Sequence, residues 1–233
     1  MHQIQIHPAQ LARGRKNRDG REYVYADLEM ARVAHIIVDL QNGFMAEGSV
    51  SEVPIAREIV DNVNAISQAV RAAGGLNVFL RYTYLENEEK PWDSWYKALL
   101  GSPFSTGLSR GFTPGNPEHE IWPAIDVAPG EPILDKTRFS GFMPGTCELD
   151  TVLRARGIDT VIITGTVTNC CSEATARDAH QMDYKVIFVS DGNAAMTDEE
   201  HNATLGSIYV AYGDVMSTGQ ILQIMQKRTA AAA

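Results

Sequence analysis

Cysteine is scarce. Cys147, Cys170 and Cys171 are the three in 233 residues, an odd number with two adjacent, and no disulfide framework can be built on that pattern. A reducing compartment is expected, and with it a cytoplasmic location. Long apolar runs are also missing, and the opening residues 1–20 hold no continuous apolar core, so neither a membrane span nor a secretory signal is expected. Nor is positive charge concentrated: 20 Lys and Arg against 29 Asp and Glu leave a net charge of −9. Nucleic acid and anionic membrane surfaces are thereby disfavoured as partners. The acidity is that of an ordinary solvated surface. No internal repeat is visible.

The composition is 44% hydrophobic over 233 residues, enough for one sizeable core and too little chain for two ordinary domains with a linker. Residues 1–30 are polar, with Arg13, Arg15, Lys16, Arg18 and Arg21 ahead of Tyr23 and Tyr25. They read as an N-terminal arm that frays or packs on a neighbouring subunit. Residues 31–228 read as one domain, and the alanine-rich 229–233 as a disordered tail.

Within that domain, residues 33–38 (VAHIIV) are β-rich and apolar on both parities, the pattern of a central parallel strand. Further strands are expected at 76–82, 132–135, 160–164, 185–190 and 214–216. Helices are expected at 51–73, 145–156, 171–182, 197–212 and 218–226. Residues 84–130, with Trp92, Trp95 and Trp122, read as an irregular insert holding a short helix near 92–100; long inserts of this kind are usually functional. The alternation predicts an α/β fold: a doubly wound, six-stranded parallel sheet with helices on both faces, a Rossmann-like three-layer sandwich.

In such sheets the site lies beyond the carboxyl ends of the strands. Asp39, Lys136 and Cys171 stand there. The turn before Cys171 leads into a helix, whose first N–H groups can lower a thiol pKa and hold an oxyanion. A thiol attacking a carbonyl needs a base for its proton and an acid for the departing nitrogen. No histidine is suitably placed, since His35 lies in a strand, His180 and His201 lie on helices and His119 lies in the insert. A carboxylate with a lysine can supply both functions. Singly, each residue reads equally as a surface cap, an ion-pair member or a buried thiol. The segment Gly165-Thr166-Val167-Thr168 has neither of the glycine patterns that cradle nucleotide phosphates.

Three ordered motifs carry a resemblance: Ile36-Ile37-Val38-Asp39-Leu40-Gln41-Asn42-Gly43-Phe44, then Lys136-Thr137-Arg138-Phe139-Ser140-Gly141-Phe142, then the run from Gly165 through Cys170-Cys171-Ser172-Glu173 to Arg177 and Ala179. On these the chain resembles the isochorismatase-like cysteine hydrolases over about residues 33–228, nearest the ureidoacrylate and N-carbamoyl amidohydrolase branch. The resemblance implies an Asp39–Lys136–Cys171 triad, with the register of Glu173 and Arg177 selecting Cys171 over Cys170. Cys170 becomes core filler, or a resolving thiol in a redox response. It implies a cis peptide between Val167 and Thr168, and an oxyanion hole from the Thr168 and Cys171 amides. It also implies thiolate attack on a small amide, ureido or carbamoyl compound, with Asp39 as base and then acid.

Nicotinamidases in that family use a histidine-containing metal site. This chain has no histidine between His35 and His119, so no metal or other cofactor is expected. True isochorismatases lack the cysteine, which speaks against vinyl-ether chemistry. A homo-oligomer, dimer or tetramer, is implied. Asn42, Phe44, Arg138, Phe139, Ser140 and Trp92 are the candidates for touching substrate. Arg138 suits a carboxylate by its bidentate fork, or belongs to a structural ion pair. Trp92, Trp95 and Trp122 wall the site as a lid, or pack under the long loop. The rival from another class is a non-catalytic binding or assembly protein of the same fold.

Overall fold

The computed structural model describes residues 1–232 along the backbone and 1–227 with their side chains, so the tail expected at 229–233 lies outside the fully described residues. The elements run α1 (Pro8–Asn17), β1 (Val33–Val38), α2 (Asn42–Met45), α3 (Val60–Ala72), β2 (Leu76–Tyr82), α4 (Ser102–Gly111), β3 (Ile133–Lys136), α5 (Leu149–Ala155), β4 (Thr160–Thr166), α6 (Glu173–Gln181), β5 (Lys185–Ala194), α7 (Asp198–Ala211), β6 (Asp214–Met216) and α8 (Thr218–Ala232). The strands form one six-stranded sheet in the order β3-β2-β1-β4-β5-β6, and every neighbouring pair is parallel. Among the described residues no helix is long and apolar enough to cross a membrane.

All six residues of β1 are buried because both faces of the sheet are covered. Ala34, Ile36 and Val38 point into a core shared with Leu149 and Leu153 of α5, Ala176 and Ala179 of α6, and Leu205 and Ile208 of α7. Val33 faces the other way, toward Ile66 and Val70 of α3 and Ile221 and Met225 of α8. The doubly wound sheet expected from the alternation of elements is the one observed.

Several boundaries differ from the expectation for local reasons. The helix expected over 51–73 is divided: Pro54, which has no N–H to donate, opens a 3₁₀ segment, Pro54–Ile59, before α3 begins. α4 in the insert was hidden by its serines, Pro103, Gly107 and Gly111, poor helix formers and turn signals. The glycines serve close packing, since a Cβ on Gly107 would meet Val50 at 2.8 Å and one on Gly111 would meet the Glu118 carboxylate. The helix expected near 92–100 is a single wide turn, Ser94–Leu99.

The N-terminal segment is not an arm reaching away from its own domain. α1 packs on α7, where Gly14 lets the Tyr209 ring approach to within 2.5 Å of the position a Cβ would take. Arg18 is buried and pairs with the fully buried Asp214 at 2.6 Å, while also donating to the carbonyls of Tyr209 and Gly213. A charge deep in an interface is tolerated when paired and hydrogen-bonded. The partner lies 196 residues away, which is why a polar segment read locally as an arm.

Two buried histidines couple this fold to pH. His35 of β1 lies between Thr164 Oγ1 at 2.7 Å and Ser67 Oγ at 3.2 Å, and burial lowers its pKa to about 3. His201 of α7 is lowered to about 4, by burial first and then by neighbouring His2. Both fold as neutral rings. A depressed folded pKa contributes stability that is complete above the unfolded value of about 6.5 and is lost as pH falls toward the folded one. Each histidine is expected to cost about 2 kcal/mol by pH 5. Urea midpoints measured between pH 7 and 4.5 should therefore fall steadily; a flat profile across that window would show the rings to be accessible.

Candidate active site

The strand order reverses direction between β1 and β4, which opens a crevice at their carboxyl ends. Asp39 follows β1 immediately, with φ +52, a left-handed conformation that aspartate adopts more readily than most residues. Its N–H donates to Leu80 O at 3.0 Å. Gln41, fully buried, ties the β1 and β2 ends together: its Nε2 donates to the carbonyls of Tyr82 and His119, and its Oε1 accepts the Tyr82 N–H at 2.7 Å.

Lys136 ends β3, two strands away, paired in register with Tyr82 of β2. Its ammonium crosses above the Tyr82 ring, 5.1 Å from the centroid, and donates to Asp39 Oδ2 at 2.7 Å and to Arg138 O at 3.0 Å. Both members of the ion pair are 0% exposed. Asp39 Oδ1 makes no hydrogen bond of ordinary geometry. Cys171, 3% exposed, sits in the turn Thr168–Ser172 that joins β4 to α6. Its thiol is close enough to hydrogen-bond the Asp39 carboxyl and to feel the Lys136 charge.

The three groups are set apart in proton affinity. Burial raises the Asp39 pKa, and Lys136 offsets part of that rise. Burial alone would lower Lys136, but Asp39 and then Cys171 hold it above its ordinary value. Cys171 is pushed well up, by the hydrogen bond with Cys170 and by burial. The arrangement sets a thiol of raised proton affinity beside a carboxylate made more basic by dryness, with a buried ammonium offsetting part of that rise. Such a trio can move a proton from sulfur to oxygen when a carbonyl arrives.

Cys171 opens on a cavity of about 450 Å³ that Phe44, Tyr82, Trp95, Leu108, Phe139 and Val167 help to line. The sequence pattern of the isochorismatase domain matches residues 33–220. The chain belongs to the isochorismatase family. It is 31% identical to the isochorismatase family protein YwoC of Bacillus subtilis over 198 residues, 84% of this chain and 96% of that protein. It is 33% identical to the ureidoacrylate amidohydrolase RutB of Variovorax paradoxus over 170 residues, 68% of this chain and 67% of that one. Among solved structures, a cysteine hydrolase from Pseudomonas syringae pv. phaseolicola superimposes with a TM-score of 0.78 at 30% identity, covering 89% of this chain and 98% of that one. This isochorismatase-family chain is a hydrolase with the family's six-stranded parallel fold.

The substrate candidates separate around this cavity. Phe44 and Phe139 line it. Trp92 does not: it packs behind, its ring 4.7 Å from Phe139 and 5.6 Å from Trp95, and Trp95 is the tryptophan that reaches the cavity. Arg138 is held elsewhere by Glu88 at 3.0 Å, the Lys90 carbonyl at 2.5 Å and the face of Trp92, so its fork is already filled. Asn42 donates to Pro117 O at 2.8 Å and borders a different hollow, with Trp122. Ser140 is buried and accepts the Phe142 N–H.

The cis peptide lies between Thr166 and Val167, not between Val167 and Thr168. β4 extends to Thr166, so the bond joins the strand's last residue to the residue capping the next turn. Cys170 is half-buried and reaches both the core and the cavity wall. The motif residues Glu173 and Arg177 face away from the cavity. They bond one another and tie α6 to Thr204, Ser207 and Tyr212, bracing the helix that follows the Cys171 turn. Trp95 walls the site as expected of it, and Gln41 belongs to the first motif, whereas Val53, Tyr82, Phe104 and Leu108 shape the cavity without any sequence signal beyond size. His201 is a further case: its Nε2–H donates to Ser190 O, which leaves Nδ1 to accept the Thr168 hydroxyl at 2.9 Å.

Proposed function

We propose that this hydrolase is a cysteine-dependent amidohydrolase that cleaves the C–N bond of a small amide, ureido or carbamoyl compound through an acyl- or carbamoyl-cysteine intermediate. The observation that carries the reading is the buried Lys136–Asp39 ion pair beside the Cys171 thiol at the cavity. The names borne by the Variovorax and Pseudomonas relatives agree with it.

Asp39 Oδ2 is occupied by Lys136, and Oδ1 is unpartnered; Oδ1 is therefore the atom that takes the thiol proton as sulfur attacks the carbonyl carbon. Cys170 and Ser172 N–H groups bond back to Val167 O, and of the three other N–H groups in this turn those of Thr168 and Cys171 receive the developing oxyanion. Asp39 returns its proton to the departing nitrogen, the C–N bond breaks, and an amine or ammonia leaves a thioester or thiocarbamate on Cys171. Water, deprotonated by Asp39, then attacks that carbonyl and restores the thiol. Lys136 keeps its proton throughout and keeps the carboxylate anionic between turnovers. Assembly as a homo-oligomer and residence in the cytoplasm belong to the same reading.

A panel of neutral amides, ureido acids and carbamoyl compounds, scored for ammonia release with hydroxylamine present, tests it. The expected result is a hydroxamate product and, on rapid acid quench, a substrate-derived mass on the Cys171 peptide alone. Undiminished ammonia release by a Cys171→Ala variant would sink the covalent mechanism.

A further inference from the structure

The cavity beside Cys171 carries a charge pattern that bears on which amides enter. Its wall is aromatic and aliphatic, with Phe44, Tyr82, Trp95, Phe104, Leu108 and Phe139 contributing. Among the described residues no lysine, arginine or histidine lines it. Glu52 is the one charged side chain that does, and it is anionic: the Gly48 N–H and Arg57 hold its carboxylate at 2.8 and 2.9 Å and keep its pKa low. Arg57 spends its other Nη on Met45 O. Arg138 is engaged by Glu88 and the Lys90 carbonyl, and two of the three N–H donors of Lys136 by Asp39 and Arg138 O. Ser49 donates its hydroxyl to Gly43 O.

We infer that the substrate is a neutral carboxamide whose remaining part is an uncharged hydrocarbon or aromatic group, and that the site rejects carboxylate-bearing ureido and amide acids. This rests on the amidohydrolase reading and narrows its substrate class. An entering carboxylate would shed its water against apolar walls, find no cation and face Glu52. A phenyl or branched alkyl group would instead bury apolar surface in a cavity whose volume, about 450 Å³, suits a small molecule. Hydrolysis balances as R–CO–NH₂ plus water giving R–COOH and ammonia. The product acid ionises once formed, and the wall that admitted the neutral amide then expels the anion, so the same charge pattern drives product release.

The decisive comparison is 3-phenylpropanamide against succinamate and N-carbamoyl-β-alanine. Ammonia release should give kcat/KM about 100-fold or more higher for the phenyl amide. Binding to Cys171→Ala, followed by calorimetry, should rank the three in the same order. A Phe104→Arg variant places a cation on a cavity residue that is 42% exposed, where the fold tolerates it, and should narrow the preference at least tenfold. Equal or reversed selectivity in turnover or binding overturns the inference while leaving the hydrolase intact. Ordered binding without any turnover supports the inference and counts against the amidohydrolase reading alone.

Discussion

Replacing Asp39 by asparagine is expected to lower kcat/KM by about 10³-fold or more while the chain still folds. The substitution keeps volume and suits the backbone, because asparagine also accepts the left-handed φ of +52 found there. Its amide oxygen can still accept the Lys136 N–H, now 2.7 Å from Asp39 Oδ2. What it cannot do is take a proton from sulfur or offset the ammonium. Without the carboxylate, burial dominates at Lys136, which is 0% exposed, and its pKa falls from above the ordinary lysine value to below it. Losing one partner of a buried pair costs up to about 3–5 kcal/mol, part of which deprotonation of the lysine recovers. The denaturation midpoint should fall, and more at pH 7 than at pH 10, where the lysine of the unfolded chain, with its ordinary pKa of 10.5, has itself begun to lose its proton. Steady-state rates, circular dichroism and hydroxylamine trapping together separate the chemical loss from the structural one. A folded variant retaining more than a tenth of the wild-type rate would remove Asp39 from proton transfer.

The sheet was legible because its strands are short runs set between helical patterns and turns: β1, β2 and β6 begin and end where expected. Asp39, Lys136 and Cys171 were legible through topology and motif, since each stands at or just after a strand end on the same edge of the sheet. Their convergence rests on parallel register across β3, β2, β1 and β4, which local pattern does not contain. Contacts of long separation escaped for the same reason. Arg138 read equally as a carboxylate fork or an ion-pair member because its partner Glu88 lies 50 residues upstream, and the first thirty residues looked detached because Asp214 lies at the other end of the chain. The cavity wall combines Val53, Trp95, Leu108 and Phe139 from four separate segments; Trp95 and Phe139 stood among the candidates, whereas Val53 and Leu108 read by themselves as ordinary core. The cis bond lies one position earlier than the resemblance implied, and the strand expected at 160–164 continues to Thr166.

Within that strand Gly165 is where the fold and the site are most tightly joined, and Gly165→Ala is expected to destabilise the protein by more than about 3 kcal/mol, at the far end of the range for one methyl group. Gly165 has φ +124 and lies in register with Val38 of β1 and Asn193 of β5, at an irregularity between Ile163 and Gly165. Irregularities of this kind commonly need glycine. A Cβ there would stand 2.0 Å from Val38 O, 2.7 Å from Val38 N and 2.8 Å from Val38 C. All three are backbone atoms of the central strand, so relief requires β1 and β4 to part. The opposite side cannot yield cheaply either, because Asn193 Nδ2 bonds the carbonyls of Ile163 and Val189. Parting the strands carries Asp39, one residue beyond Val38, away from the Cys171 turn. Turnover per folded molecule should therefore fall along with the urea midpoint, the folded fraction being counted by circular dichroism. Gly74→Ala is the matched control: φ is +82 there, but a Cβ meets nothing within 4 Å, so the conformational penalty stands alone at about 1 kcal/mol with activity unchanged. Equal losses at the two positions would mean that the β1–β4 contact yields to a methyl group, and that the spacing between carboxylate and thiol is held by something other than the sheet.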